Sequence, residues 1–175
     1  MDFIGFPYLG FLNPFFDPMA SNKTTFQFIS EPGDVNFGGK VHGGTVMKWI
    51  DQAAYTCARN WAESYCVTVY VGGIRFYKPI GIGEVIKIDS QVIYTGSSSI
   101  HIMVEVYSRS FEQKKFEKKT HCIIIFVSVD ENGNPKKVKP WVPKTDQEKK
   151  LEEYALKLKT LREEIHEEMR PFFNE

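Results

Sequence analysis

Between residues 45 and 62 the apolar positions Val46, Ile50, Ala53, Ala54, Cys57, Ala58 and Trp61 recur at steps of three and four, the period of an α-helix. The spacing predicts one helix of eighteen residues, roughly 27 Å long at 1.5 Å per residue. Apolar side chains occupy more than one of its sides, so the helix is expected to be wrapped rather than laid on a surface. Ahead of it, residues 24–30 (TTFQFIS) partly alternate and predict a short strand that Glu31-Pro32-Gly33-Asp34 ends. Behind it come four strand-like runs, 67–77, 85–94, 99–108 and 116–129. Their separators, 78–84, 95–98 and 109–115, are short and polar or glycine-bearing, which favours antiparallel neighbours throughout. In the third run Ile100, Ile102, Val104 and Val106 alternate with His101, Met103, Glu105 and Tyr107, so one face is wet or an interface. The fourth run contains CIIIFVSV, apolar almost throughout, and belongs at the centre of a sheet. After the turn Asp130–Pro135, a last helix begins at Thr145. The sequence Thr-Asp-Gln-Glu is a capping box, and Leu151, Tyr154, Leu158, Leu161 and Ile165 form its apolar stripe.

The order β-α-β-β-β-β with one long apolar helix describes an α+β hotdog fold: a curved, antiparallel, five-stranded sheet around a single helix, here followed by a C-terminal helix. Three segments result: an aromatic and proline-rich tail (1–23), the hotdog domain (24–140) and the C-terminal amphipathic helix (141–175). The tail carries Phe3, Phe6, Tyr8, Phe11, Phe15 and Phe16, broken by Gly5, Pro7, Gly10, Pro14 and Pro18, without a lysine or arginine. It lacks the charge and cleavage pattern of a secretory signal, and its helix breakers prevent it from spanning a bilayer. Packing on the protein's own surface, adherence to a membrane, and a start at Met19 are the readings it allows.

Composition narrows the classes. With 22 basic and 22 acidic residues among 175, the chain has no general attraction for nucleic acid or anionic membrane. Three cysteines, none in a CxxC pair, argue against a disulfide scaffold or a zinc site and for a reducing, cytoplasmic compartment. No GxSxG elbow, P-loop or dinucleotide fingerprint occurs. What remains is the run Asp34-Val35-Asn36-Phe37-Gly38-Gly39-Lys40-Val41-His42-Gly43-Gly44, leading into Asp51. His42-Gly43-Gly44 sits at a helix N-terminus, where unpaired amides and the helix dipole favour a developing oxyanion. Taken singly, Asn36 reads as a turn asparagine, His42 as a cap and Asp51 as a solvated acid; all three converge on one helix end.

The segment DVNFGGKVHGGTVMKWIDQAA resembles the signature of hotdog acyl-CoA thioesterases, in the branch of brain-type and bacterial short acyl-CoA hydrolases. The resemblance continues through Ile74-Arg75-Phe76-Tyr77-Lys78-Pro79, Gly83-Glu84-Val85, Thr95-Gly96-Ser97-Ser98-Ser99 and FVSVDENGNPKKV. Glu84, where relatives have aspartate, and Gly73, where a larger residue is common, depart from it. It implies hydrolysis of acyl-CoA to acid and CoA, with no metal or redox cofactor and coenzyme A entering only as part of the substrate. Asp51 is implied as general base, or less readily as nucleophile, with Asn36 orienting, Gly43 and Gly44 polarising the carbonyl and His42 supporting the loop. Arg75, the Thr95, Gly96, Ser97, Ser98, Ser99 turn, and Lys136 and Lys137 are the implied contacts for pantetheine and phosphate. It further implies a homodimer with sheets side by side, often a trimer of dimers, with Asn36 of one protomer facing Asp51 of the other. Two alternatives stay open: a hydratase or dehydratase using His42 as base, and a non-catalytic acyl-CoA sensor.

Overall fold

The computed structural model describes residues 21–173; the aromatic tail's first twenty residues lie outside the described residues. The elements are β1 (Lys23–Ile29), α1 (Gly43–Ala62), β2 (Cys66–Phe76), β3 (Val85–Thr95), β4 (Ser99–Arg109), β5 (Glu117–Ser128) and α2 (Asp146–Phe173), with a 3₁₀ turn at Pro32–Asp34. All strand pairs are antiparallel, in the order β1-β3-β4-β5-β2. The sheet wraps α1, whose Val46, Ile50, Ala53, Ala54, Cys57 and Ala58 are buried against Ile102, Val104, Ile124 and Phe126. This is the hotdog fold that the element order predicts. Residues 122–128 of CIIIFVSV lie in β5, between β4 and β2, with α1 against one face and α2 against the other, which is why apolar residues fill both.

One expectation fails. The short separator 78–84 suggested that β2 and β3 are neighbours, yet β2 pairs with β5 and lies at the opposite edge from β3's side of the sheet. The link instead passes beneath the entrance to α1: the Val41 N–H donates to the Ile80 carbonyl (2.9 Å), Lys40 bridges Gly81, and Ile80 is buried. A buried isoleucine gives the link a path of its own, so its shortness does not mark a hairpin.

The outer face of the sheet is only half wet. Helix α2 crosses it, burying Ala155 with Ile93, Ile123 and Ile125 and packing Leu151 and Leu158 there. His101 is consequently buried, while Glu105 and Tyr107 stay partly exposed. The capping box forms as its sequence requires: Thr145 Oγ1 accepts from the Glu148 N–H (3.2 Å) and Glu148 Oε2 accepts from the Thr145 N–H (3.1 Å). No helix among the described residues is long and apolar enough to cross a membrane.

Candidate functional site

The loop from β1 to α1 folds on Asn36. Its Oδ1 accepts from the N–H groups of Gly38 (2.8 Å) and Lys40 (3.1 Å), and its own N–H donates to the Lys40 carbonyl (2.7 Å). The asparagine is therefore the turn residue that local sequence predicts, with its carbonyl oxygen engaged. Its Nδ2 amino group has no partner among the described residues, so toward a ligand Asn36 is a donor.

His42 caps α1. Its Nδ1 accepts from the Gly44 N–H at 2.9 Å, which places the proton of the neutral ring on Nε2. Gly44 admits this close seat, because a Cβ there would lie 3.1 Å from Nδ1. Among the described residues the N–H groups of Gly43 and Thr45 have no backbone or side-chain partner. Gly43 lines a cleft of about 300 Å³ walled by Val41, Val46, Phe76 and Ile80 and closed by Lys78 and Lys119. Glu117 pairs with both lysines, and their hydrogen bonds hold its carboxyl down at about 2.

Asp51 lies two turns further along α1 and is half-buried. Thr68 of β2 donates its hydroxyl to Asp51 Oδ1 at 3.0 Å. Thr68 carries no motif of its own and is not among the residues that the sequence singles out. The signal available was its place on a strand flanking the helix that bears Asp51, which only the strand order makes meaningful.

The remaining candidates lie elsewhere. Arg75, on β2, is exposed and holds its guanidinium 5.5 Å from the Tyr77 ring centroid. The 95–99 turn sits at the far end of α1. Thr95 Oγ1 accepts from the Trp141 N–H (2.8 Å), the Gly96 N–H donates to the Ser99 carbonyl (2.9 Å), and the carbonyls of Ser97 and Ser98 take the N–H groups of Val138 and Ser128. Lys136 and Lys137 are exposed beside this turn, and Trp61 Nε1, near the end of α1, donates to the Lys139 carbonyl (3.1 Å). In one protomer Arg75 stands near the free amides, next to Phe76 of the same cleft, whereas the 95–99 turn with Lys136 and Lys137 is separated from them by the length of α1, about 30 Å for twenty residues.

The cysteines supply no alternative nucleophile. All three are buried and free, and burial pushes Cys57 and Cys122 up to about 12 and Cys66 to about 11.

The thioesterase superfamily matches over residues 38–112. An uncharacterized acyl-CoA thioester hydrolase of Buchnera aphidicola subsp. Baizongia pistaciae is 33% identical over 122 residues, 68% of this chain and 90% of that one. A solved apo-hexameric acyl-CoA thioesterase superposes with a TM-score of 0.78 at 30% identity, covering 82% of this chain and 92% of its own. An acyl-CoA hydrolase of Staphylococcus aureus, solved with coenzyme A, gives a TM-score of 0.83 at 26% identity over 89% of this chain and 93% of its own. Structures of that hydrolase include single alanine replacements of an asparagine, an aspartate and a threonine spaced 15 and 17 residues apart. Asn36, Asp51 and Thr68 stand at the same two intervals.

Proposed function

Since this chain belongs to the acyl-CoA thioester hydrolases of the thioesterase superfamily, we propose that it cleaves acyl-CoA to a carboxylic acid and coenzyme A with Asp51 as general base. Water adds to the thioester carbonyl carbon as Asp51 takes its proton. The oxyanion forms against the Gly43 and Thr45 N–H groups at the positive end of α1. The carbon–sulfur bond then breaks and the sulfur leaves with the proton returned by Asp51. The Thr68 hydroxyl occupies Oδ1, which leaves Oδ2 for the water. Asn36 directs its free amino group at water or carbonyl. His42 and Gly44 serve each other, so Gly44 shapes the loop while Gly43 and Thr45 donate; this refines the pair implied by the resemblance.

A catalytic site of this kind needs two copies. Antiparallel, side-by-side pairing of two sheets through their β2 edges sets the α1 entrance of one beside Asp51 and the 95–99 turn of the other. Asn36 then faces the Asp51 of the partner subunit, and coenzyme A reaches from the amides to Arg75, Lys136 and Lys137. Further assembly into a trimer of dimers follows the hexameric relative.

The observation that supports this reading best is the Asp51–Thr68 hydrogen bond, made by two residues at the spacing of those replaced in the Staphylococcus aureus hydrolase. It counts against the hydratase reading that His42 Nδ1 is held by the Gly44 N–H and Nε2 is protonated, which leaves no free base. The test is thiol release from butyryl-CoA by purified protein. Asp51→Ala should lose on the order of 10²–10⁴-fold in kcat, the usual worth of a general base, with the oligomer intact. A retained rate refutes the assignment.

A further inference from the structure

Helix α2 is longer than the sheet it covers. Leu151 packs beside β3 and β4, Ala155 and Leu158 over β5, and the Arg162 guanidinium sits 5.1 Å from the ring centroid of Tyr70 on β2, the last strand. The helix nevertheless continues to Phe173. Those eleven further residues project about 16 Å beyond β2 at 1.5 Å per residue, the width of roughly three strands spaced 4.8 Å apart.

The projecting turns are not dressed for solvent. Ile165, Met169 and Phe172 continue the stripe of Leu161 at steps of four, four and three, with Ile165 59% and Phe172 78% exposed. Below them lies a groove of about 480 Å³ whose floor is Tyr70. The free edge of β2 carries unpaired backbone groups there, and Val69 and Val71 beside Tyr70 are exposed as well. An apolar roof over an unpaired strand edge fits another strand, because a strand alone satisfies the edge and the roof together.

We propose that the 163–173 overhang is a clasp that closes on the outer sheet face of a second copy of this chain, the copy whose β2 pairs with this one. The proposal rests on the side-by-side dimer put forward above and adds a contact that edge pairing alone does not require. Charge supports a second copy as occupant. The overhang holds Glu163, Glu164, Glu167 and Glu168 against Arg170, while the part of the outer face that α2 leaves open next to β2 presents the exposed Arg75, which has no carboxylate partner among the described residues, beside Lys118, whose charge is paired with Glu105. Two-fold symmetry makes the contact reciprocal, each helix crossing to the other's sheet.

The test is self-association of the full chain by sedimentation over a dilution series, with helicity and butyryl-CoA turnover followed in parallel. Ile165→Glu/Met169→Glu should keep its helical signal, since both sites are exposed, and should weaken dimerisation at least tenfold. A photoreactive phenylalanine analogue at position 165 should crosslink to β2 or β5 of another copy. Unchanged dimerisation overturns the clasp, as do crosslinks to residues 1–20 of the same chain, which would make the N-terminal tail the occupant. Reduction of a hexamer to an intact dimer also overturns it. A wild-type protein that dimerises without hydrolysing acyl-CoA would defeat the functional reading and leave the clasp to be decided by the same association data.

Discussion

Asn36, His42, Asp51 and Thr68 show how a side chain's structural duty limits its chemical one. Asn36 uses its oxygen to fold the loop, and its amino group has no partner among the described residues; His42 uses Nδ1 to hold Gly44. Asp51 keeps one oxygen free because Thr68 takes the other. Thr68→Val removes that hydroxyl at nearly constant volume, and kcat for butyryl-CoA should fall about tenfold, the worth of one hydrogen bond of roughly 1–1.5 kcal/mol. An unchanged kcat in a thiol-release assay would exclude Thr68 as the positioning residue. His101 carries a prediction about pH. Burial under α2, then Arg162 and Lys159, lowers its pKa from 6.5 to about 4. Between pH 6.5 and 4 the unfolded chain binds a proton there that the folded chain refuses, so stability falls as pH drops through that window. Denaturant midpoints at pH 7 and pH 4.5 should diverge in the native protein and diverge less in His101→Phe.

At the scale of elements, the pattern of apolar residues is enough to place the five strands and two α-helices of the described residues. What it missed was adjacency: a seven-residue link reads as a hairpin until Ile80 is seen buried under the α1 entrance. The outer face of β4 shows the same limit. Alternation marked it as wet or an interface, and α2 covers the half that holds His101 and Met103. Helix α2 owes its register to Thr145, which with Glu148 satisfies amides that have no helical partner. Thr145→Ala should cost about 1 kcal/mol of stability, read as a lower urea midpoint at unchanged slope. Because α2 packs on the sheet through Leu151, Ala155 and Leu158, fraying its first turn should also raise hydrogen exchange across β3.

For the whole molecule, the decisive prediction concerns which protomer supplies which group. Asn36→Ala and Asp51→Ala homodimers should each be nearly inactive. If each site takes Asn36 from one protomer and Asp51 from its partner, a mixed dimer holds one intact site, and random mixing restores roughly a quarter of native turnover. No recovery in co-refolded mixtures would place both groups in the same protomer. By itself the sequence determined the elements, the wrapped helix, the loop chemistry around Asn36 and His42 and the cap at Thr145, because these depend on period, turn propensity and neighbours a few residues away. Tertiary structure alone decided that β2 is an edge strand, that Thr68 meets Asp51, and that the free amides stand at the opposite end of α1 from the 95–99 turn with Lys136 and Lys137. Those facts depend on which distant segments pair, and pairing is settled by the burial of whole faces rather than by any local signal.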